Sequence, residues 1–180
     1  MTISLIGYRG TGKTTVARHL AGALECDWID ADDEIERVAG KSISEIFAEN
    51  GEPHFRDVET QVVAELCRRT NVVLALGGGA VVRRENRELL AGQEHVVWLR
   101  ADVETILQRV SDDATTADRR PNLTVAGGRE EIATVLADRT PLYRECATLE
   151  VDTSDRSPEE VAREILSRVA PDSSTNSLDP

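Results

Sequence analysis

Gly7-Tyr8-Arg9-Gly10-Thr11-Gly12-Lys13-Thr14 follows a short apolar run, Ile3 to Ile6, and leads into a stripe in which Val16, Leu20 and Leu24 recur every four residues. The run reads as a strand and the stripe as one face of a helix, so the glycines lie on a strand-to-helix turn. The spacing is G-x-x-x-x-G-K-[ST], with every fixed position filled. Glycines let consecutive backbone N–H groups turn inward around phosphate oxygens, and the positive end of the helix adds to the attraction. Lys13 is placed to reach the β- and γ-phosphates, and the Thr14 hydroxyl to ligate Mg²⁺. A chance glycine turn would not bring Lys-Thr to the start of a helix. The stretch therefore points to nucleotide binding and leaves the reaction open.

Working outward, short apolar runs alternate with helical stripes. Trp28 to Ile29, Val72 to Leu76, His95 to Leu99 and Thr148 to Val151 read as further strands. Phe55, Val58, Val62 and Leu66 form one stripe. Val103, Ile106, Leu107 and Val110 form a second, and Val161, Ile165 and Val169 a third. Ser42 with Glu45 reads as a capping box, and Ser157-Pro158 as an N-cap followed by proline in the first turn. Strand–helix alternation predicts an α/β fold with a doubly wound parallel sheet. Residues 1–170 are expected to form one domain. Within it, polar residues 111–128, ending in Gly127-Gly128, read as a lid. Residues 171–180, rich in Pro, Ser, Asp and Asn, read as a disordered tail.

Composition narrows the classes. Aromatics are only 3% of the 180 residues, so the core must be Val, Ile, Leu and Ala, the usual filling of a covered parallel sheet. A net charge of −12 disfavours nucleic-acid binding and requires a local cluster of Arg or Lys for any anionic substrate. The three cysteines, Cys26, Cys67 and Cys146, are far apart, which predicts free thiols in a reducing compartment rather than a zinc or disulfide framework. The first apolar run is too short for a signal peptide and no run is long enough to span a membrane, so the expectation is a cytoplasmic protein.

Candidate chemistry gathers where strands end. No N-K-x-D motif is present to read guanine, and the Val72 to Leu76 strand runs into Gly77-Gly78-Gly79 instead of a metal-binding Asp. GTPase and motor readings weaken. The second strand leads into Asp30-Ala31-Asp32-Asp33-Glu34, at the ligand edge of a parallel sheet. One of Asp30 and Asp32 can hold a magnesium water while the other meets a substrate hydroxyl. Asp33 and Glu34 are adequately explained as first-turn charge. Arg56, at the opening of the Phe55 to Leu66 helix, and Arg139, at the end of the Ile132/Leu136 stripe before a proline break, are placed to grip a carboxylate by forked hydrogen bonds.

Taken together, the phosphate loop, Asp30-x-Asp32, Gly51-Glu52-x-x-Phe55-Arg56, Gly77-Gly78-Gly79, Arg120-Pro121 and Arg139-x-Pro141-Leu142-Tyr143 resemble shikimate kinase, in order and spacing, over roughly residues 2 to 169. The resemblance implies a five-stranded parallel sheet of the P-loop NTPase type with a mobile lid, working as a monomer on ATP and shikimate with Mg²⁺, in aromatic amino-acid biosynthesis. It assigns Gly10, Thr11, Gly12, Lys13, Thr14 and Thr15 to the ATP phosphates, and Thr14 and Asp30 to Mg²⁺. Asp32 orients the attacking 3-hydroxyl. Arg56 and Arg139 bind the carboxylate, Gly78 offers a backbone N–H and Phe55 lines the pocket. Arg120 closes on the transferring phosphate, and Arg109, Arg156 and Pro158 flank the adenine. Two positions depart from the family pattern: Arg9 stands where an apolar residue is usual, and Asn122 interrupts the lid motif Arg120-Pro121-Asn122-Leu123.

Three other functions compete. A gluconate kinase lacks the reason for the GExxFR, GGG and RxPLY set. A nucleoside monophosphate kinase would carry a longer base-binding insertion after the second helix. A regulatory nucleotide-binding module without turnover would not need Asp32 together with the three arginines.

Overall fold

The computed structural model describes residues 1–112 and 128–169. The strands are β1 (Thr2–Ile6), β2 (Asp27–Asp30), β3 (Val72–Ala75), β4 (His95–Arg100) and β5 (Leu149–Asp152). They form one sheet in the order β2-β3-β1-β4-β5, every pair parallel. The helices are α1 (Lys13–Leu24), α2 (Ala31–Ala39), α3 (Ile43–Leu66), α4 (Arg84–Ala91), α5 (Val103–Asp112), α6 (Gly128–Cys146) and α7 (Pro158–Val169). The expected lid residues Arg120, Pro121, Asn122 and Leu123, and the tail 171–180, lie outside the described residues.

Both faces of the sheet are covered, so its strands are apolar on both sides. On one face Ile3, Leu5, Val73, Ala75, Val97, Leu99 and Val151 pack against α1 and α7. On the other, Ile6, Val72, Leu74, Val96 and Trp98 pack against α2, α3, α4 and the C-terminal part of α6. Alternation along each strand decides which residues meet which layer. This is the doubly wound sheet expected from the sequence. A third cluster, Tyr8 with Ile106, Ile132 and Val135, fills the seam between α5 and α6. The thiols of Cys26, Cys67 and Cys146 are free, and burial pushes Cys67 and Cys146 up to about 11.

The local signals at helix starts are realised. Ser42 Oγ accepts from the Glu45 amide and Glu45 reaches back to the Ser42 amide, closing the capping box of α3. Ser157 Oγ accepts from the Glu160 amide at the start of α7. The Phe55 to Leu66 stripe follows a break in α3, where Gly51 adopts φ 77°, ψ 173°. One expectation needs correction: Pro141 does not end α6. The helix runs on to Cys146 because Tyr143 and Cys146 beyond the proline are buried in the main core, and that packing offsets the hydrogen bond the proline cannot make.

Candidate active site

The phosphate loop hangs between Ile6 and Lys13 at the C-terminal edge of the central strand. Gly7, Gly10 and Gly12 all have positive φ, and a Cβ at Gly7 would lie 2.3 Å from the Leu99 carbonyl oxygen, so only glycine passes there. Thr11 Oγ1 donates to the Tyr8 carbonyl at 2.8 Å and fixes the turn. Lys13 Nζ spans the loop, donating to the carbonyls of Gly7 and Tyr8, each at 2.9 Å. No side chain caps α1 and its first turn holds no acid, so the amides of its first residues face the loop with the positive end of the helix dipole behind them. Thr15 is exposed beside them.

The next strand edge supplies carboxylates. Asp30 caps α2, its Oδ1 accepting from the Asp32 amide at 2.9 Å while Oδ2 accepts from Thr14 Oγ1 at 2.7 Å. Asp32 therefore lies inside the first turn of α2, with Asp33 and Glu34. Burial, and after it the Asp32 carboxylate, raises the Asp30 carboxyl above the usual aspartate range, although the bonds from Thr14 and the Asp32 amide act the other way. A half-buried carboxylate beside a hydroxyl is a donor set that suits Mg²⁺, which takes few protein oxygens and completes its shell with phosphate and water. Among the described residues no cluster of three or more acidic, His or Cys side chains offers a protein-only metal cage.

The third part of the edge is Gly77-Gly78-Gly79, after β3. It lies directly against the phosphate loop: a Cβ at Gly78 would approach Arg9 N at 3.2 Å and Gly7 O at 3.3 Å. Two arginines distant in sequence converge on it. Arg139 Nη1 donates to the Gly78 carbonyl at 3.1 Å, and Tyr143 Oη donates to the same oxygen at 2.5 Å. Arg56 underlies Gly79 so closely that a Cβ there would fall 2.3 Å from its Nη1. Arg56 is buried and paired, with Nη1 donating to Glu59 at 2.6 Å and Nη2 to Glu52 at 3.1 Å. Phe55 is buried beside it, its ring centroid 4.7 Å from that of Phe47.

At the far end, Arg109 of α5 ties the Thr153 carbonyl (2.7 Å) and hydroxyl (3.0 Å) to Gly10 O (3.4 Å). Arg156 instead turns onto the start of α7, donating to Asp152 O, Glu160 O and Glu164 Oε2. Both arginines border the turn that ends at Pro158. Arg120 lies outside the described residues.

Sequence reading gave no role to several supporting groups. Glu52 and Glu59 stand four before and three after Arg56, a helical spacing that could have found them. Tyr143 follows Arg139 by one helical turn. Asn86 of α4, which donates to Ala80 O at 2.8 Å behind the glycine turn, left no signal, because α4 is short and holds few apolar residues.

Comparison with known proteins places this geometry. A family model described as shikimate kinase matches residues 9–170. A shikimate kinase of Rhodopirellula baltica is 47% identical over 169 residues, spanning 94% of this chain and 90% of the relative. One of Enterococcus faecalis is 41% identical over 168 residues, spanning 93% and 98%. The solved structure of shikimate kinase from Acinetobacter baumannii in complex with shikimate superposes with a TM-score of 0.87 at 42% identity, spanning 93% of this chain and 92% of that one.

Proposed function

The chain belongs to the shikimate kinase family, and on that premise we propose how its own residues divide the transfer of the γ-phosphate of ATP to a hydroxyl of shikimate. The observation that carries the reading is the convergence of Arg56 and Arg139 on Gly79 and Gly78, one van der Waals contact from the phosphate loop. A carboxylate gripped there by two guanidinium forks would hold a rigid ring against the phosphates.

Phosphoryl transfer needs alignment and charge neutralisation more than covalent help. Lys13, already bridging the loop, exchanges carbonyl partners for phosphate oxygens, and the amides of Gly10 to Thr15 surround them. Thr14 and Asp30 would hold Mg²⁺, which when bound supplies positive charge to the phosphate oxygens. Asp32, one turn into α2, orients the attacking hydroxyl and takes its proton late. Phe55 lines the acceptor pocket and the Gly78 amide orients the acceptor. Arg109, Arg156 and Pro158 border the adenine. Arg120 is assigned to the γ-phosphate on the resemblance alone.

The proposal extends to a single kinase domain over residues 1–170, monomeric and cytoplasmic, with neither nucleic acid nor membrane as partner. The exposed large apolar side chains among the described residues, Met1, Val38 and Val82, are far apart in the sequence, the thiols are free, and no described helix is long and apolar enough to cross a membrane.

The test is an ADP-release assay with ATP and Mg²⁺. Shikimate should stimulate turnover far above background, whereas faster turnover with gluconate or a nucleoside monophosphate would overturn the reading.

A further inference from the structure

Arg9 lies within the phosphate loop, and it is not idle. Its Nη2 lies 3.1 Å from Oε1 of Glu131, across 122 residues of chain, with the two side chains 13% and 0% exposed. Glu131 sits in the first turn of α6, where its charge is favoured by the helix dipole. The Arg9 guanidinium also lies 5.7 Å from the centroid of the Tyr8 ring, and Tyr8 is wedged against Ile106, Ile132 and Val135 between α5 and α6. The backbone N of Arg9 is the atom that a Cβ on Gly78 would meet at 3.2 Å. One residue thus touches the phosphate loop, the glycine turn and the helix that carries Arg139. Glu131 precedes Arg139 on that helix by eight residues, about 12 Å along a rigid rod.

A buried ion pair is a poor means of adding stability, because taking both charges out of water costs about as much as their attraction returns. An apolar pair would fill the same seam. What an ion pair adds is a fixed distance and a fixed orientation. Resting on the kinase reading above, we propose that Arg9 and Glu131 are a positioning pair: they register the phosphate loop against α6, so that the phosphate held by Lys13 and the acceptor held by Arg139 keep one separation. Neither side chain is assigned to either substrate.

The test begins with the unaltered protein, whose shikimate-dependent ADP release must first be seen. If it is not, the kinase reading has failed and the pair is beside the point. Arg9→Met combined with Glu131→Leu removes both charges of the pair together, so the melting temperature should fall less than in either single variant. If the pair positions the loop, kcat in this double variant falls roughly tenfold to a hundredfold, the range associated with ångström-scale misplacement. Both KM values should stay within about threefold, because the groups that touch the substrates remain. Arg9→Lys keeps the charge pair and should restore kcat to within about threefold of the parent. Turnover within about twofold of the parent in a folded double variant would show that the pair only fills space and would overturn the proposal. So would an Arg9→Lys enzyme as slow as Arg9→Met. Should the double variant not fold, the comparison of Arg9→Lys with Arg9→Met decides by the same criterion.

Discussion

The phosphate loop and the acceptor side lie in contact at Gly78, yet they are made in opposite ways. The loop is one contiguous stretch whose working groups are mostly backbone amides, shaped by glycines at positive φ and held by Thr11 and Lys13 from within. The acceptor side is made of side chains drawn from α3 and α6, propped by Glu52, Glu59 and Tyr143, around a short glycine turn. Backbone amides recognise a phosphate on any nucleotide, so the loop can be common property of many enzymes. Side chains from separate elements can be exchanged one at a time, so on the proposed reading specificity belongs to the acceptor side. The glycines differ in the same sense. At Gly7 an added Cβ would strike the Leu99 carbonyl, which is backbone and cannot swing aside. At Gly79 it would strike the tip of Arg56.

The sharpest way to break this contrast is Lys13→Ala. Lys13 is the one charged side chain within the loop motif assigned to phosphate, and its loss should lower kcat by about 10³ or more, in line with other cations that neutralise a transferring phosphoryl group. Near-normal turnover would mean that the amides suffice and the loop needs no side chain. On the acceptor side, Arg139→Lys keeps the charge but not the planar fork. Losing one charge-assisted bond costs on the order of 1.5–3 kcal/mol, so KM for shikimate should rise roughly tenfold to a hundredfold while KM for ATP changes little. An equal rise in both would erase the division between the two sides. Gly79→Ala should act the same way but more weakly, raising KM for shikimate by about fivefold as Arg56 shifts between its two glutamates. Unchanged kinetics would show that Arg56 is not held by the glycine turn.

The contrast also explains what could be read in advance. The loop announces itself because its function depends on spacing within eight residues. The sheet is equally legible, because each buried strand is a short apolar run. The acceptor side shows by local pattern only as two arginines, and it is the resemblance that joins Phe55 and Gly78 to them. Arg56 looks like a surface residue until Glu59 and Gly79 are seen around it, and Arg139 looks like the end of a helix because Pro141 follows it. Tertiary packing of Tyr143 overrides the proline, and no local pattern encodes that. The Arg9–Glu131 pair lies beyond any window reading, since its partners meet only when α6 packs beside the loop.

The strand order carries a consequence for how the chain is made. β1 lies at the centre of the sheet, yet it leaves the ribosome before every other strand. Its register pairs Thr2 with Val72 on one side and Ile3 with His95 on the other, so neither neighbour exists until much of the chain has been synthesised. Parallel strands cannot close through a tight hairpin, and no early local partner substitutes. During translation Ile3, Leu5 and Ile6 must therefore wait as an unpaired apolar segment, which is the kind of segment chaperones hold. The phosphate loop waits with them. Gly7 acquires its neighbour Leu99, and with it the reason to be glycine, only once β4 has emerged.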